Sequence, residues 1–355
     1  MNRPELVVVV GGGVAGLCCA HRLHQAGVPF VLLEADKVPG GRVQTDRHDG
    51  FLLDRGFQVL LTAYPEARRH LDYKKLDLHT FTPGSLVRSG GQFHRLVDPW
   101  RQPFKGLSSL FSPVGSFTDK LRIAKLRSRV CRGSLEHIFQ AADRSTLSEL
   151  KQLGFSQKMI DQFFMPFLGG VFLDRELETS SRMLNFVFRM FSQGSTAVPA
   201  EGMGQIANQL ASGLPKGSMR YGCRVRAVTA NTVWLEDGTH IESSAIVLAT
   251  GGEATASLLG IPFNPSYRRS VTCIYFSAPE PPTQEPILVL NGEGTGPVNN
   301  LCVPSLVSRH YAPPGQHLIS TSILGRSSED ALEAAVREQM HEWYGSQVSA
   351  WKHLR

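Results

Sequence analysis

VVVVGGGVAGL at Val7–Leu17 decides how this chain is read. Four β-branched residues stop in three glycines, and apolar Val14, Leu17 and Cys18 then recur at i, i+3 and i+4, so the pattern turns from strand to helix across a tight turn. Gly11, Gly13 and Gly16 fit G-x-G-x-x-G. The first glycine permits the turn, the second lets backbone approach a diphosphate, and the third lets the helix pack on the strand. The amino end of the helix, with the amides around Val14, Ala15 and Gly16, favours an anion through its free N–H groups and its dipole.

Working outward, Gly27 is a plausible stop for the helix, and VPFVLLE at Val28–Glu34 forms a second strand that closes on an acid 21 positions after Gly13. Glu34, with Ala35 beside it, stands where a ribose-binding carboxylate belongs. Such a carboxylate accepts from both ribose hydroxyls and repels a 2′-phosphate, which favours the adenosine of FAD or NAD over that of NADP. The competing reading is a structural strand, turn and helix followed by a surface glutamate.

Gly40, Gly41 and Arg42 follow, and then DRGFQVL at Asp54–Leu60. In this order the segments resemble the flavin-dependent amine oxidase and phytoene desaturase superfamily, whose members carry G-x-G-x-x-G, the ribose acid, a G-G-R turn and a D-x-G segment. The resemblance implies that Arg42 pairs with the FAD diphosphate and that the backbone at Gly40, Gly41 and Gly56 passes close to the cofactor. It also implies that the strand of Val225 meets the adenine through its main chain and that the A-T-G-G run holding Thr250 and Gly251 abuts the dinucleotide. Amine oxidases of the family often hold a water beside the flavin with a lysine where this chain has Thr272, so the resemblance is to the superfamily at large rather than to its amine oxidases alone.

Composition excludes several other classes. At 355 residues, 42% hydrophobic and 19% charged, the chain has ample material for two cores and too little polarity for bulk disorder. Its longest apolar runs fall far short of the roughly 18 residues of a membrane span. A net charge of +6 is too mild to argue for nucleic acid. The six cysteines form no C-x-x-C pair, which favours a reducing compartment, and the start of the chain leaves no room for a cleaved leader, so the expected address is cytoplasmic. The 12 histidines show no metal spacing, and His21 and His24 are expected on the solvent side of the first helix.

From Phe81 the chain leaves the nucleotide domain. Lys120, Arg122, Lys125, Arg127, Arg129 and Arg132 crowd one helical segment opposite Ile123, Leu126 and Val130, which reads as a solvated charged face or as docking on an anionic membrane or substrate. Phe155–Phe191 holds eight of the 19 Phe and four of the eight Met, enough for a core and for part of an apolar substrate cavity. Gly169 and Gly170 read equally as a turn or as a close approach to a flat ring. After PAEGMG at 199–204 come a helix through Ile206, Leu210 and Leu214, a strand at 224–228, a hairpin at Asp237 and Gly238, and a buried strand in SAIVLATGG at 244–252. A strand from Val271 and a helix over Ser327–Gly345 complete the pattern.

These elements predict an α/β fold: a Rossmann-like FAD-binding domain built from residues 1–80 and 199–265, and a second, mixed α+β substrate lobe built from 81–198 and 266–345. The expected activity is FAD-dependent oxidation of an apolar small molecule by hydride transfer, with the catalytic side chain unassigned, no metal and no nucleic acid, and with peripheral membrane contact left open. The resemblance implies a closing glycine-rich G-D segment, and no Gly-Asp pair occurs in the sequence. A truncated, catalytically silent flavin-binding or interaction protein is therefore the alternative.

Overall fold

The computed structural model describes residues 6–97, 101, 112–265, 268–325 and 329–355. The chain forms two compact units, one from Met1–Asp46, Glu66–Asp77 and Glu201–Arg268, the other from Arg47–Pro65, Leu78–Ala200 and Arg269–Arg355.

The first unit is built on a four-stranded parallel sheet. Val7–Val10 runs inside it between Phe30–Leu33 and Ala245–Leu248, with Met219–Arg220 beyond Phe30–Leu33. Val7 is in register with both Phe30 and Ala245. Because a strand's side chains alternate between faces, Val8 and Val10 point to one side, where they meet Val31, Leu33, Val233 and Leu235. Val233 and Leu235 belong to an antiparallel meander of Val225–Val228, Thr232–Leu235 and His240–Glu242. The helix Val14–Gln25 buries Leu17 and Ala20 and stops at Ala26, with Gly27 following at φ 68°. Each fully buried Val or Leu in these layers contributes about 1.5–3 kcal/mol relative to exposure.

Two expectations in this unit are corrected. Ala245–Leu248 is not a buried strand: it lies at the edge of the sheet, pairs on one side only, and is exposed at Ala245 and half-buried through Leu248. His21 is half-buried rather than fully on the solvent side, because its imidazole Nε2 lies 2.7 Å from the Leu210 carbonyl and ties the opening helix to the helix Gly204–Ser212, whereas His24 is exposed.

The second unit carries a seven-stranded mixed sheet in the order Lys352–His353, Val271–Ala278, His317–Leu324, Asn300–Cys302, Leu288–Asn291, Gly84–Ser89, Gln92–Val97. All neighbours are antiparallel except Leu288–Asn291 and Gly84–Ser89. Alternation divides the core in two. Val289 and Leu86 join Leu332, Val336, Met340 and Trp343 of the helix Glu329–Tyr344 in one cluster, whereas Leu290 and Val87 join Leu126, Val130, Phe164, Leu168 and Leu184 in the other. Ser327, the expected start of the Glu329–Tyr344 helix, lies outside the described residues.

The Phe- and Met-rich segment is helical over 157–172 and 181–193, with 173–180 outside any helix. A π turn at Ile160–Phe164 interrupts it between Gln157–Met159 and Met165–Phe172. Gly169 and Gly170 lie inside that last helix, so the expected turn is absent there. The basic segment is the helix Phe117–Cys131, capped by Ser116 and Asp119. Its charges are not simply solvated: Lys120 donates to the Ser112 carbonyl, Arg127 to the Ser192 carbonyl, and Arg129 pairs with Glu149 at 2.8 Å.

Besides changing over after Asp77 and Ala200, the units place residues 47–65, expected in the nucleotide domain, in the second unit. Residues 47–65 belong to the second unit because Leu60–Leu61 pairs with Thr196–Pro199 and because Asp54 is held there by Tyr275 and Tyr311. Residues 66–77 stay in the first, where the amide of Asp72 donates to Gln209 Oε1 at 2.8 Å. Among the described residues, no helix is long and apolar enough to cross a membrane, and no cluster of His, Cys, Asp and Glu is suited to a metal. The six cysteines are free thiols.

A backbone cradle and an apolar cavity

The loops that leave the carboxyl ends of the parallel strands gather in the first unit, the place where open α/β sheets take ligands. Gly11 adopts φ 106° and lies against Ala249, which a Cβ there would approach to 2.9 Å at its carbonyl oxygen. A Cβ on Gly16 would collide with the Gly11 carbonyl, so only glycine lets the helix close on the strand. Gly13 is different: it caps the helix from extended backbone, and nothing stands within 4 Å of where its Cβ would be. The helix end carries no side-chain cap and no acid in its first turn. The amides of Val14, Ala15 and Gly16 are therefore left without a capping side chain beside the open space at Gly13, with the positive end of the helix dipole behind them.

The G-G-R turn forms a second wall. Gly40 donates its amide to the Gly12 carbonyl at 2.9 Å, and a Cβ on Gly41 would come no closer than 3.5 Å, to the Cα of Gly13. Arg42 is exposed at the end of this turn. Gly251 caps the helix Gly252–Leu259 without a side-chain cap and also faces open space, while Thr250 shares a 2.8 Å hydroxyl contact with Thr255.

Glu34 is 7% exposed at the end of the second strand. Its Oε2 accepts from the Gly12 amide at 2.6 Å and its Oε1 from the Asp36 amide at 2.8 Å. Each carboxylate oxygen has a further lone pair for a hydroxyl. Ala35 follows half-buried, and the Glu34 carbonyl accepts the amide of Cys223, which brings the segment before Val225 alongside. These residues fit a dinucleotide: bare amides and missing Cβ atoms for the diphosphate, and a fixed acid for the sugar.

Of the residues singled out in the sequence, Gly11, Gly13, Val14, Ala15, Gly16, Glu34, Ala35, Gly40, Gly41, Arg42, Val225, Thr250 and Gly251 lie in the first unit. Gly56 lies in the second, at φ 92°, where its Cβ would touch Val271. Beside it Asp54 is buried, accepting the Tyr311 hydroxyl at 2.8 Å at its carboxylate and the Tyr275 hydroxyl at its carbonyl. Burial, then the charge of Asp54, raises the Tyr311 pKa well above its ordinary value. Thr272 donates to the Gly325 carbonyl at 3.1 Å.

Sequence reasoning missed Met219 and Tyr221. The Met219 methyl and Glu34 both crowd Gly12, and Tyr221, 43% exposed, has its pKa raised by burial and then by the charge of Glu34. The strand Met219–Arg220, which holds the first and precedes the second, is too short for a periodic signal.

The second unit contains a cavity of about 520 Å³ whose lining residues all belong to that unit. Phe163 and Phe167 stack at 5.4 Å on its wall, Phe167 meets Phe191 at 5.1 Å, and Leu288 and Leu290 come from the sheet. Arg101, Lys120 and Arg127 are set among these apolar groups. The concentration of Phe was readable in advance, but the positive side chains were not, because nothing in the sequence tells which residues of a basic helix face inward.

Residues 14–354 match the flavin containing amine oxidoreductase family. Protoporphyrinogen oxidase 2 of Arabidopsis thaliana is 29% identical over 169 residues, covering 46% of this chain and 32% of that protein. Lycopene-forming phytoene desaturase of Pseudescherichia vulneris is 47% identical over 53 residues, covering 15% of this chain and 11% of that protein. The aligned stretches thus span about a third or less of these relatives. A crystal structure of an oxidoreductase from Methanosarcina mazei superposes with a TM-score of 0.74 at 18% identity, over 99% of this chain and 86% of that one, which shows a shared fold. By its sequence the chain belongs to the flavin containing amine oxidoreductase family.

Proposed function

We propose that the protein is an FAD-dependent oxidoreductase that oxidises an apolar small molecule at a C–H bond. The observation that carries this reading is the uncapped end of the helix Val14–Gln25 beside the fixed carboxylate of Glu34. The Val14, Ala15 and Gly16 amides would hold the diphosphate, and Glu34 would accept from the adenosine sugar. Its charge disfavours a 2′-phosphate there.

A bound flavin supplies a two-electron acceptor for hydride. The chain's own part is placement and exclusion of water: the Phe163, Phe167 and Phe191 rings bury the body of the molecule oxidised. The relatives named as protoporphyrinogen oxidase and phytoene desaturase support an apolar substrate class. Heating the purified chain and weighing the released cofactor tests the reading. FAD is expected, followed by anaerobic bleaching with a suitable substrate. Release of NAD, or of no dinucleotide, refutes it.

A further inference from the structure

One ring on the wall of the second unit's cavity carries an oxygen. Tyr64 lines the cavity and stacks on Phe186, with 5.8 Å between centroids and 14° between planes. Its amide donates to the Leu61 carbonyl at 3.0 Å, and Leu60–Leu61 pairs with Thr196–Pro199, so the turn that carries the ring is fixed to a strand. The ring also packs on the cluster of Leu61, Ala63, Val187 and Met190. Backbone and ring are thus held before a ligand enters, which lowers the ordering cost of any contact the hydroxyl makes.

Among the described residues, nothing hydrogen-bonds that hydroxyl. Burial raises its pKa, so the oxygen keeps its proton and stands as a donor. The other polar groups of the lining are placed differently. Ser192 Oγ donates to the Phe188 carbonyl at 2.7 Å, and the Asn300 amide spans Asn299 and Ser322. Ser85 Oγ lacks a partner, but the oxygen is fully covered. Thr82 and Thr196 carry their hydroxyls on Cβ, close to the main chain, whereas the Tyr64 oxygen stands at the far end of a ring. A donor left unpaired in an aromatic wall is costly, and an acceptor oxygen on a ligand removes that cost.

We propose that Tyr64 orients the ligand of this cavity, and that its hydroxyl selects, among apolar molecules of one shape, those that carry an acceptor oxygen such as a ketone. Calling that ligand the substrate rests on the oxidoreductase reading; the hydrogen bond does not. At about 520 Å³ the cavity falls within the range of small-molecule sites, roughly 300–1,000 Å³.

The test titrates the purified full chain calorimetrically with benzophenone and with diphenylmethane, which differ by one carbonyl. Tyr64→Phe keeps the ring and its stacking on Phe186 and removes only the oxygen. The variant is expected to bind benzophenone about fivefold more weakly than the parent, and to change by less than about twofold toward diphenylmethane. In the unmodified chain the carbonyl stretch of bound benzophenone should lie below its position in hydrocarbon solution, and in Tyr64→Phe it should return toward that position. An equal change in both affinities, a stretch at the hydrocarbon position in the unmodified chain, a lowered stretch that survives in the variant, or no binding of benzophenone would overturn the proposal. Where the variant fails to fold, the carbonyl stretch in the unmodified chain decides alone. Flavin content of the same preparation separates the two readings: a Tyr64 contact without flavin sinks the cofactor assignment only, and flavin without that contact sinks this inference only.

Discussion

Glu34 accepts the main-chain amide of Gly12 at 2.6 Å, so the acid that ends the second strand also fixes the glycine loop that ends the first. One side chain thereby serves stability and the sugar site together. Glu34→Gln places an amide NH₂ where one of two backbone donors now finds an acceptor. Loss of about 1–3 kcal/mol is expected in denaturant unfolding, along with lower flavin occupancy. A variant with unchanged occupancy would show that Glu34 acts on the loop alone.

Gly13 and Gly16 separate the two roles more sharply. Gly13→Ala meets open space in an extended backbone that alanine adopts freely, so stability should change by less than about 0.5 kcal/mol while dinucleotide binding is lost. Gly16→Ala drives a methyl into the Gly11 carbonyl and should destabilise by about 3 kcal/mol or more. Thermal unfolding and flavin content of both variants, measured side by side, check the contrast.

Acid stability should report on Asp119. Burial pushes its carboxyl up, but hydrogen bonds from Ser156 and Ser116 together outweigh that and hold it at about 2. A depressed folded pKa adds stability above the unfolded value near 4, and that stability drains away as pH falls toward 2. Asp119→Asn should therefore lose about 2 kcal/mol at neutral pH and show a flatter decline between pH 4 and 2 than the parent. Parallel acid titrations of unfolding free energy are the measurement, and identical slopes would refute the assignment.

Tyr311→Phe removes the hydroxyl that donates to Asp54 Oδ2 at 2.8 Å. Both groups are buried, so a cost of about 1–3 kcal/mol is expected. Equilibrium unfolding of the variant checks it.

The first unit was largely readable from Val7–Glu34 because a parallel strand, its glycine turn and its helix are local features, and the G-x-G-x-x-G spacing states the contact it needs. The family was readable from the order of the Gly40–Arg42 and Asp54–Gly56 segments. What escaped prediction depends on distant partners. The edge position of Ala245–Leu248 follows from which strands flank it, and the exposure of its residues follows from that position. His21 looked like a surface residue until Leu210 supplied a carbonyl from 189 residues away. Residues 47–65 joined the second unit through pairing with Thr196–Pro199, which no local pattern announces.

The π turn at Ile160–Phe164 has a consequence for how such a cavity changes over generations. Each residue advances an α-helix by about 100°, so an extra residue accommodated in one wide turn re-aims everything after it. Pro166, Phe167, Gly170 and Val171 all follow that turn and all line the cavity. Deleting a single residue there would make the helix more regular and swing these groups away together. An insertion or deletion at this point therefore re-aims several lining groups at once, where an exchange of one side chain alters one.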